Sequence, residues 1–278
     1  MTPNKSSAES TAETYNDSDD ADHFYETVWG GEDIHIGIYD EPGISIPDAS
    51  HKTVEMMASS LEKITPDSKV IDLGAGYGGS ARYLARRFGC HVTCLNVSER
   101  QNERNRMLNK KHGLQDKVSV QHGSFENIPE EDHTMDLVWS QDAFLHSGQR
   151  RKVLEEINRI TRPGGELVFT DPMQADDCPP GVLQPVYDRL ELDSLGSIRW
   201  YQEQLADLGF EEVKVTPMVE QLRNHYDNVG TELASRQNDL VGKISMDYLS
   251  RMLVGLKNWV DAADNGYLSW GILHFRKK

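Results

Sequence analysis

The chemistry in this chain gathers around Val70-Ile71-Asp72-Leu73-Gly74-Ala75-Gly76-Tyr77-Gly78-Gly79. The apolar run from Val70 to Leu73 predicts a buried strand, and Ala81, Leu84, Ala85 and Phe88 return at helical spacing. Four glycines within residues 74–79 let the backbone turn sharply and let a ligand approach with no Cβ in the way. A helix starting there offers free N–H groups to whatever docks at its N-terminus. This is the pattern of a nucleotide-cofactor loop, with Gly74, Gly76 and Gly78 as its predicted contact points. The alternative is a glycine-rich turn with a purely structural role.

The spacing Gly74-x-Gly76-x-x-Gly79 also fits the dinucleotide fingerprint, but two residues oppose NAD. Asp72 would set a negative charge against an incoming pyrophosphate. About 20 residues on, where dinucleotide enzymes place an acid for the ribose, the second strand ends Cys94-Leu95-Asn96. Asp72-Leu-Gly-Ala-Gly76 after an apolar strand instead resembles the first motif of class I S-adenosylmethionine (SAM) methyltransferases. That resemblance implies a cofactor with no phosphates and a positive sulfonium, beside which an acid is favourable.

Further candidates follow from the same resemblance. Asn96 stands where the superfamily usually carries an acid for the ribose hydroxyls; an amide can bond there without charge assistance, or simply cap a turn. Gln101 neighbours it, after Ser98 as predicted helix N-cap. Ser124 and Phe125, in Gly123-Ser-Phe-Glu-Asn-Ile-Pro129, resemble the adenine-contacting motif, with Phe125 either stacking on the base or packing in the core. Gln141 joins the cofactor set, and Ser140 to His146 is expected at the mouth of the site. His146 is a candidate catalytic or substrate-orienting residue, with a structural role as the alternative. Asp171, ending the fifth strand, is a second candidate for shaping or deprotonating the acceptor. Methyl transfer is an in-line displacement that needs a neutral nucleophile held against the sulfonium methyl, and positioning supplies much of its acceleration. It requires no metal, and no His, Cys or carboxylate cluster has metal-site spacing.

The elements that must position these residues alternate from Lys69 onward. Strands are predicted at 69–73, 90–95, 117–121, 135–140, 165–170 and 210–217, with a last strand near 266–276. Helices are predicted at 48–64, 79–89, 98–112, 148–161 and 198–208, the fourth of these stopped by Arg162-Pro-Gly-Gly165. This predicts an α/β fold, a Rossmann-like, mostly parallel sheet with right-handed crossovers. Residues 1–22 are acidic and poor in large apolar side chains, so a disordered tail is expected there, followed by one domain over 23–278. Segments 24–47, 171–197 and 218–265, the last with helical patterns at 230–242 and 246–262, exceed the alternation and are expected to cap the substrate.

Composition narrows the function classes. Forty-five Asp and Glu against 29 Lys and Arg give a formal charge of −16, which opposes a nucleic-acid substrate because phosphate binding needs clustered cations. The compact basic cluster Arg82, Arg86 and Arg87 is expected on the solvated face of its helix. Cys90, Cys94 and Cys178 lack zinc-ligand spacing; Cys90 and Cys94, on one strand, read as buried small residues, and a reduced compartment fits. No apolar run approaches the ~20 residues of a membrane span, so a cytoplasmic protein, monomer or homodimer, is expected.

Taken together, Trp29-Gly-Gly-Glu-Asp-Ile-His-Ile-Gly37, Asp72-Leu-Gly-Ala-Gly-Tyr-Gly-Gly-Ser-Ala-Arg-Tyr83, Trp139-Ser-Gln-Asp142, Leu145-His-Ser147, Thr170-Asp-Pro-Met173 and Trp270-Gly-Ile272 resemble the sarcosine/dimethylglycine N-methyltransferases. The resemblance spans Phe24 to Lys278. It implies methyl transfer from SAM to dimethylglycine, and to sarcosine before it, yielding glycine betaine and S-adenosylhomocysteine. It gives the acid excess a context in a salt-rich cytoplasm, and it accounts for the amide at Asn96. A substrate carboxylate calls for a cation or amide donors: Arg189 is favoured, with Arg199, Arg223 and Arg251 open. Tyr25, Tyr201, Tyr226 and Trp270 are expected as an aromatic box for the forming ammonium, and His35 as a further substrate contact. The competing readings are a SAM-dependent O- or C-methyltransferase of another small molecule, a catalytically silent SAM-binding regulator, and an NAD oxidoreductase.

Overall fold

A computed structural model describes residues 18–278, apart from residues 191 and 241 and the side chains of residues 189 and 190. Strand β1 (Lys69–Leu73) is buried at every position after its first, as expected of a strand covered on both faces. It pairs in parallel with β2 (His91–Asn96) on one side and β4 (Met135–Gln141) on the other. With β3 (Val118–His122), β5 (Thr161–Thr170), β7 (Phe210–Pro217) and β9 (Gly271–Lys277), they form a seven-stranded sheet in the order β3-β2-β1-β4-β5-β9-β7. Only β9 runs against its neighbours. The two-stranded pair β6 (Met173–Gln174) and β8 (Leu268–Ser269) stands apart. The predicted α/β, mostly parallel architecture is what folds.

Strand order reverses between β1 and β4, and such a switch point opens a crevice beyond the strand ends. Register fixes what meets there. Leu73 lies opposite both Leu95 and Ser140, so Gly74, Asn96 and Gln141 leave three adjacent strands at one level. Helices α2 (Ile46–Ser59) and α3 (Gly79–Phe88) pack on one sheet face through Val54, Met57, Ala81 and Leu84. Helices α5 (Arg150–Ile160) and α7 (Ile198–Asp207) cover the other through Val153, Leu154, Ile157 and Leu205. Helix α4 (Glu99–Lys111) follows β2 and buries amides, among them Asn102, Asn105 and Asn109.

A third apolar cluster joins the N-terminal segment to α6 (Gln184–Leu190), α8 (Val219–Ser235), the short α9 (Gln237–Leu240) and α10 (Met246–Asp264). Its centre includes Phe24, Leu222, Val229, Leu256, Trp259 and Trp270, each no more than 1% exposed.

Several boundaries moved for physical reasons. Helix α1 (Asp19–Phe24) begins before residue 23 because Ser18 caps it, accepting from the Ala21 N–H, and Asp19, Asp20 and Asp22 in its first turn suit the helix dipole. The rest of the expected tail, 1–17, lies outside the described residues. Helix α8 starts at Val219, well ahead of the expected 230; Leu222, Tyr226, Val229 and Leu233 supply its buried stripe, which interspersed Asn, His and Asp conceal. The Arg162-Pro-Gly-Gly165 stop is part of β5 itself: register slips between Met135 and Leu137, absorbing the extra residues as a bulge.

Arg82 is the plainest departure. Expected on a solvated face, it is fully buried. Its guanidinium donates to the Tyr77 carbonyl at 2.7 Å, Asn109 Oδ1 at 2.9 Å, Asn105 Oδ1 at 3.2 Å and Glu32 Oε2 at 2.8 Å. Arg86 and Arg87 are exposed, as expected. Cys90 and Cys94 are buried and Cys178 partly so.

Candidate active site

The glycine loop turns through left-handed backbone at Gly74, Gly76 and Gly78, with φ of 75°, 50° and 74°. A Cβ at Gly74 would collide with Ala143, and one at Gly78 with the Asn105 amide. Gly78 also caps α3 in the left-handed region. Residues 32–36 lie across this loop: Ile34 rests on Gly76, and the Asp33 carboxylate stands against Gly79. Glu32 fastens that segment, pairing with Arg82 and with His112 at 2.7 Å.

Beside the loop, Asn96 Nδ2 donates to Gln101 Oε1 at 3.0 Å, so these two predicted residues do meet. Phe125 is 6% exposed and meets Phe144 edge-on at 6.0 Å, with its ring reaching toward Gly74. The hydroxyl of Ser124 accepts from the Glu126 N–H at 3.2 Å. Gln141 Oε1 accepts from Trp139 Nε1 at 3.0 Å and from Ser80, which leaves its buried Nε2 without a partner. A loop that turns through left-handed backbone at three glycines, with the orphaned buried Gln141 amide donor beside it, fits an adenosyl amino-acid cofactor. Asp72, one strand residue before the turn, is buried; desolvation pushes its carboxyl up to about 7, with His35 and Arg82 opposing and Asp33 adding to the shift.

Ile34, His35 and Ile36 border a cavity of about 760 Å³. Tyr25, His35, His146 and Tyr226 from the sequence prediction all line it, together with Trp29 and Asp142. None of the predicted cofactor residues lines it. Tyr25 and Trp29 sit with ring centroids 5.6 Å apart. The Trp29 indole donates to the His35 carbonyl at 3.3 Å, which ties the aromatic wall to the segment covering the loop.

Three predicted residues are elsewhere. Asp171 is fully buried, its Oδ1 accepting from the Leu145 N–H at 2.9 Å and its Oδ2 from the Tyr201 hydroxyl at 2.7 Å. Burial pushes its carboxyl up to about 7. Tyr201 is itself in the sheet core against Phe169. The pair therefore braces the 3₁₀ turn Phe144–His146 instead of facing the acceptor. Trp270 is also fully buried, and its indole donates to Asp142 Oδ1 at 2.8 Å. Trp29 takes the place in the aromatic wall that Tyr201 and Trp270 do not reach.

The candidate carboxylate partner Arg189 falls outside the described side chains. Arg199 pairs with Asp176, and Arg223 with Asp227 and Asp264. Arg251 lines the cavity and pairs with Asp247 at 3.0 Å.

Sequence reasoning placed Asp142 at the mouth of the site but gave it no role. It follows β4 with φ 51°, a left-handed conformation uncommon outside glycine. Its Oδ2 accepts from the Ile36 N–H at 2.7 Å while Trp270 holds Oδ1. Burial raises its pKa, with His35 opposing. The signal was an acid immediately after the strand that supplies Gln141, but nothing local says that a tryptophan 128 residues away fixes it.

Residues 71–169 match the family model described as a methyltransferase domain. The chain is 52% identical over 267 residues to the sarcosine/dimethylglycine N-methyltransferase of Halorhodospira halochloris, covering 96% of each chain. It is 46% identical to the dimethylglycine N-methyltransferase of Parasynechococcus marenigrum, covering 99% of each. The crystal structure of a candidate sarcosine dimethylglycine methyltransferase from Galdieria sulphuraria superposes with a TM-score of 0.90 at 41% identity, over 95% of this chain and 99% of that one.

Proposed function

Because the chain belongs to the sarcosine/dimethylglycine N-methyltransferase family, we propose that it methylates the amine of dimethylglycine, and of sarcosine before it, using SAM, and so makes glycine betaine. The observation that carries this reading is the pairing of the glycine cradle with an acceptor cavity walled by Tyr25, Trp29 and Tyr226 and floored by a fixed carboxylate. When bound, SAM supplies a methyl group on a positive sulfonium.

Gly74, Gly76 and Gly78 hold the cofactor's amino-acid end with the orphaned Gln141 amide. Asn96 and Gln101 take the ribose hydroxyls, and Ser124 and Phe125 border the adenine. Asp142 orients the acceptor amine, and its two donors prevent it from swinging away. The aromatic wall attracts the quaternary ammonium as its charge develops, while His146 orients the acceptor from the turn that Asp171 braces. Arg189 or Arg251 meets the carboxylate. Residues 24–47, 171–197 and 218–265 act as the cap that excludes water and fixes the approach distance.

Among the described residues no helix is long and apolar enough to cross a membrane. The acceptor is a free small molecule in the cytoplasm, and the enzyme acts as a monomer or homodimer.

The test is methyl transfer from labelled SAM to glycine, sarcosine and dimethylglycine in parallel, at low and high salt. Turnover of dimethylglycine is the expected result, and turnover of sarcosine sets the number of steps. Retained SAM binding with no transfer to any of the three would leave a cofactor-binding protein and refute the proposal.

A further inference from the structure

Helix α8 turns two acceptors toward the backbone of residues 37–39. Gln221 Oε1 takes the Tyr39 N–H at 2.7 Å, and His225 Nδ1, one helical turn on, takes the Gly37 N–H at 3.0 Å. Helix α2 serves the groups between: the Ala49 carbonyl accepts from the Ile38 N–H at 2.9 Å. Its Ser50 and Thr53 hydroxyls donate to the His35 and Ile36 carbonyls, both at 2.8 Å. This stretch therefore pairs with two helices instead of a strand.

His225 is fully buried, and its ring does more than accept from Gly37. The Tyr39 hydroxyl also reaches Nδ1, at 2.9 Å. With two donors on Nδ1, the hydrogen of the neutral ring is assigned to Nε2, which has no hydrogen-bond partner among the described residues. The ring centroid lies 4.6 Å from that of Trp29 and 6.0 Å from that of Tyr226. Both of those rings line the acceptor cavity, and His225 does not. A buried N–H left unpaired is destabilising, so packing alone would favour an apolar side chain here.

The contacts close into a loop. Trp29 donates to the His35 carbonyl, Gly37 donates to His225, and the His225 ring meets the Trp29 ring. The indole is thus held both by its nitrogen and by its ring. Burial, with His35 adding, pushes the His225 pKa down to about 3. The imidazole beside the aromatic wall therefore carries no charge to repel a cation in the cavity.

On the reading of the site as an amine methyltransferase, on which this inference rests, the acceptor nitrogen ends as a quaternary ammonium. That group can donate no hydrogen bond, so a carboxylate or an aromatic face must recognise its charge. We propose that His225 is a positioning residue that sets the Trp29 ring for the quaternary ammonium, and so selects this cation over an uncharged group of the same shape. It acts through Trp29.

The test uses the full chain saturated with S-adenosylhomocysteine and two ligands of one shape. These are glycine betaine and the anion of tert-butylacetic acid, in which a quaternary carbon replaces the ammonium nitrogen. Titration calorimetry gives the ratio of their affinities. His225→Asn keeps an acceptor for the Gly37 N–H and removes the ring. The expected result is betaine affinity lowered about tenfold, with affinity for the carbon counterpart and for S-adenosylhomocysteine unchanged. Trp29→Leu lowers the same ratio, and adding His225→Asn to it lowers the ratio no further. An unchanged ratio in His225→Asn overturns the proposal, as does an equal loss for both ligands, which marks a general slackening of the cavity. A further loss in the double variant also overturns it, because His225 then acts apart from Trp29. His225→Gln, which keeps an amide in place of the ring, is read by the same ratio where His225→Asn fails to bind S-adenosylhomocysteine. A wild type that binds S-adenosylhomocysteine but neither binds betaine nor methylates dimethylglycine removes the amine reading itself. A wild type that does both, with the ratio unaltered in the variants, removes this inference alone.

Discussion

Replacing Arg82 with methionine tests how the structure holds residues 32–36 over the glycine loop. The guanidinium is 1% exposed, and its removal leaves three buried acceptors, the Tyr77 carbonyl and the Asn105 and Asn109 amide oxygens, without a donor. An unsatisfied buried acceptor costs about 1–3 kcal/mol, so the low end for the three already gives about 3 kcal/mol. Loss of the Glu32 partner adds less, because Glu32 is 30% exposed and water takes over part of the contact. Against a total stability of about 5–15 kcal/mol this is severe. The assay is thermal and urea unfolding of the unliganded protein, with Arg86→Met as the matched control on the exposed face of the same helix. We expect Tm to fall by at least about 6 °C in Arg82→Met, and the control to stay within about 0.5 kcal/mol of the wild type. Cofactor affinity falls with it, because Glu32 loses one of its two anchors. Equal unfolding curves for the two variants would refute the reasoning and return Arg82 to the solvated face.

Asp142→Asn removes the charge and, with a single acceptor oxygen, turns an NH2 group against either the Ile36 N–H or the Trp270 indole; kcat/KM for dimethylglycine is expected to drop at least about ten- to 100-fold, as read by steady-state kinetics. The raised carboxyl of Asp171 binds its proton more tightly folded than unfolded, so its stabilising contribution is full below pH 3.8 and is lost as pH rises toward about 7. Asp171→Asn should flatten the wild-type decline of stability across that window in urea melts taken at several pH values. Gly78→Ala places a Cβ against Asn105 at a φ of 74°; a cost of about 1–3 kcal/mol is expected, with weaker S-adenosylhomocysteine binding by titration.

The sequence by itself determined the cofactor half. Strand, glycine turn and helix are neighbours in the chain, so local sterics and periodicity specify them together, and β1 and β7 begin and end where the pattern put them. Gly74, Gly76 and Gly78 need left-handed backbone, a demand written in residue type alone. Asn96 and Gln101 meet because they sit five residues apart across one turn. The acceptor half was decided only by tertiary structure. Its polar groups are fixed by contacts spanning the chain: Ile36 to Asp142, Trp270 to Asp142, Tyr201 to Asp171, Arg82 to Glu32. A buried carboxylate or guanidinium is tolerable only where such partners converge, and no local pattern encodes the convergence. That is why Asp142 and Trp29 were given no role, why Tyr201 and Trp270 were expected one layer too close to the acceptor, and why Arg82 read as solvated until Glu32 and two asparagines closed around it.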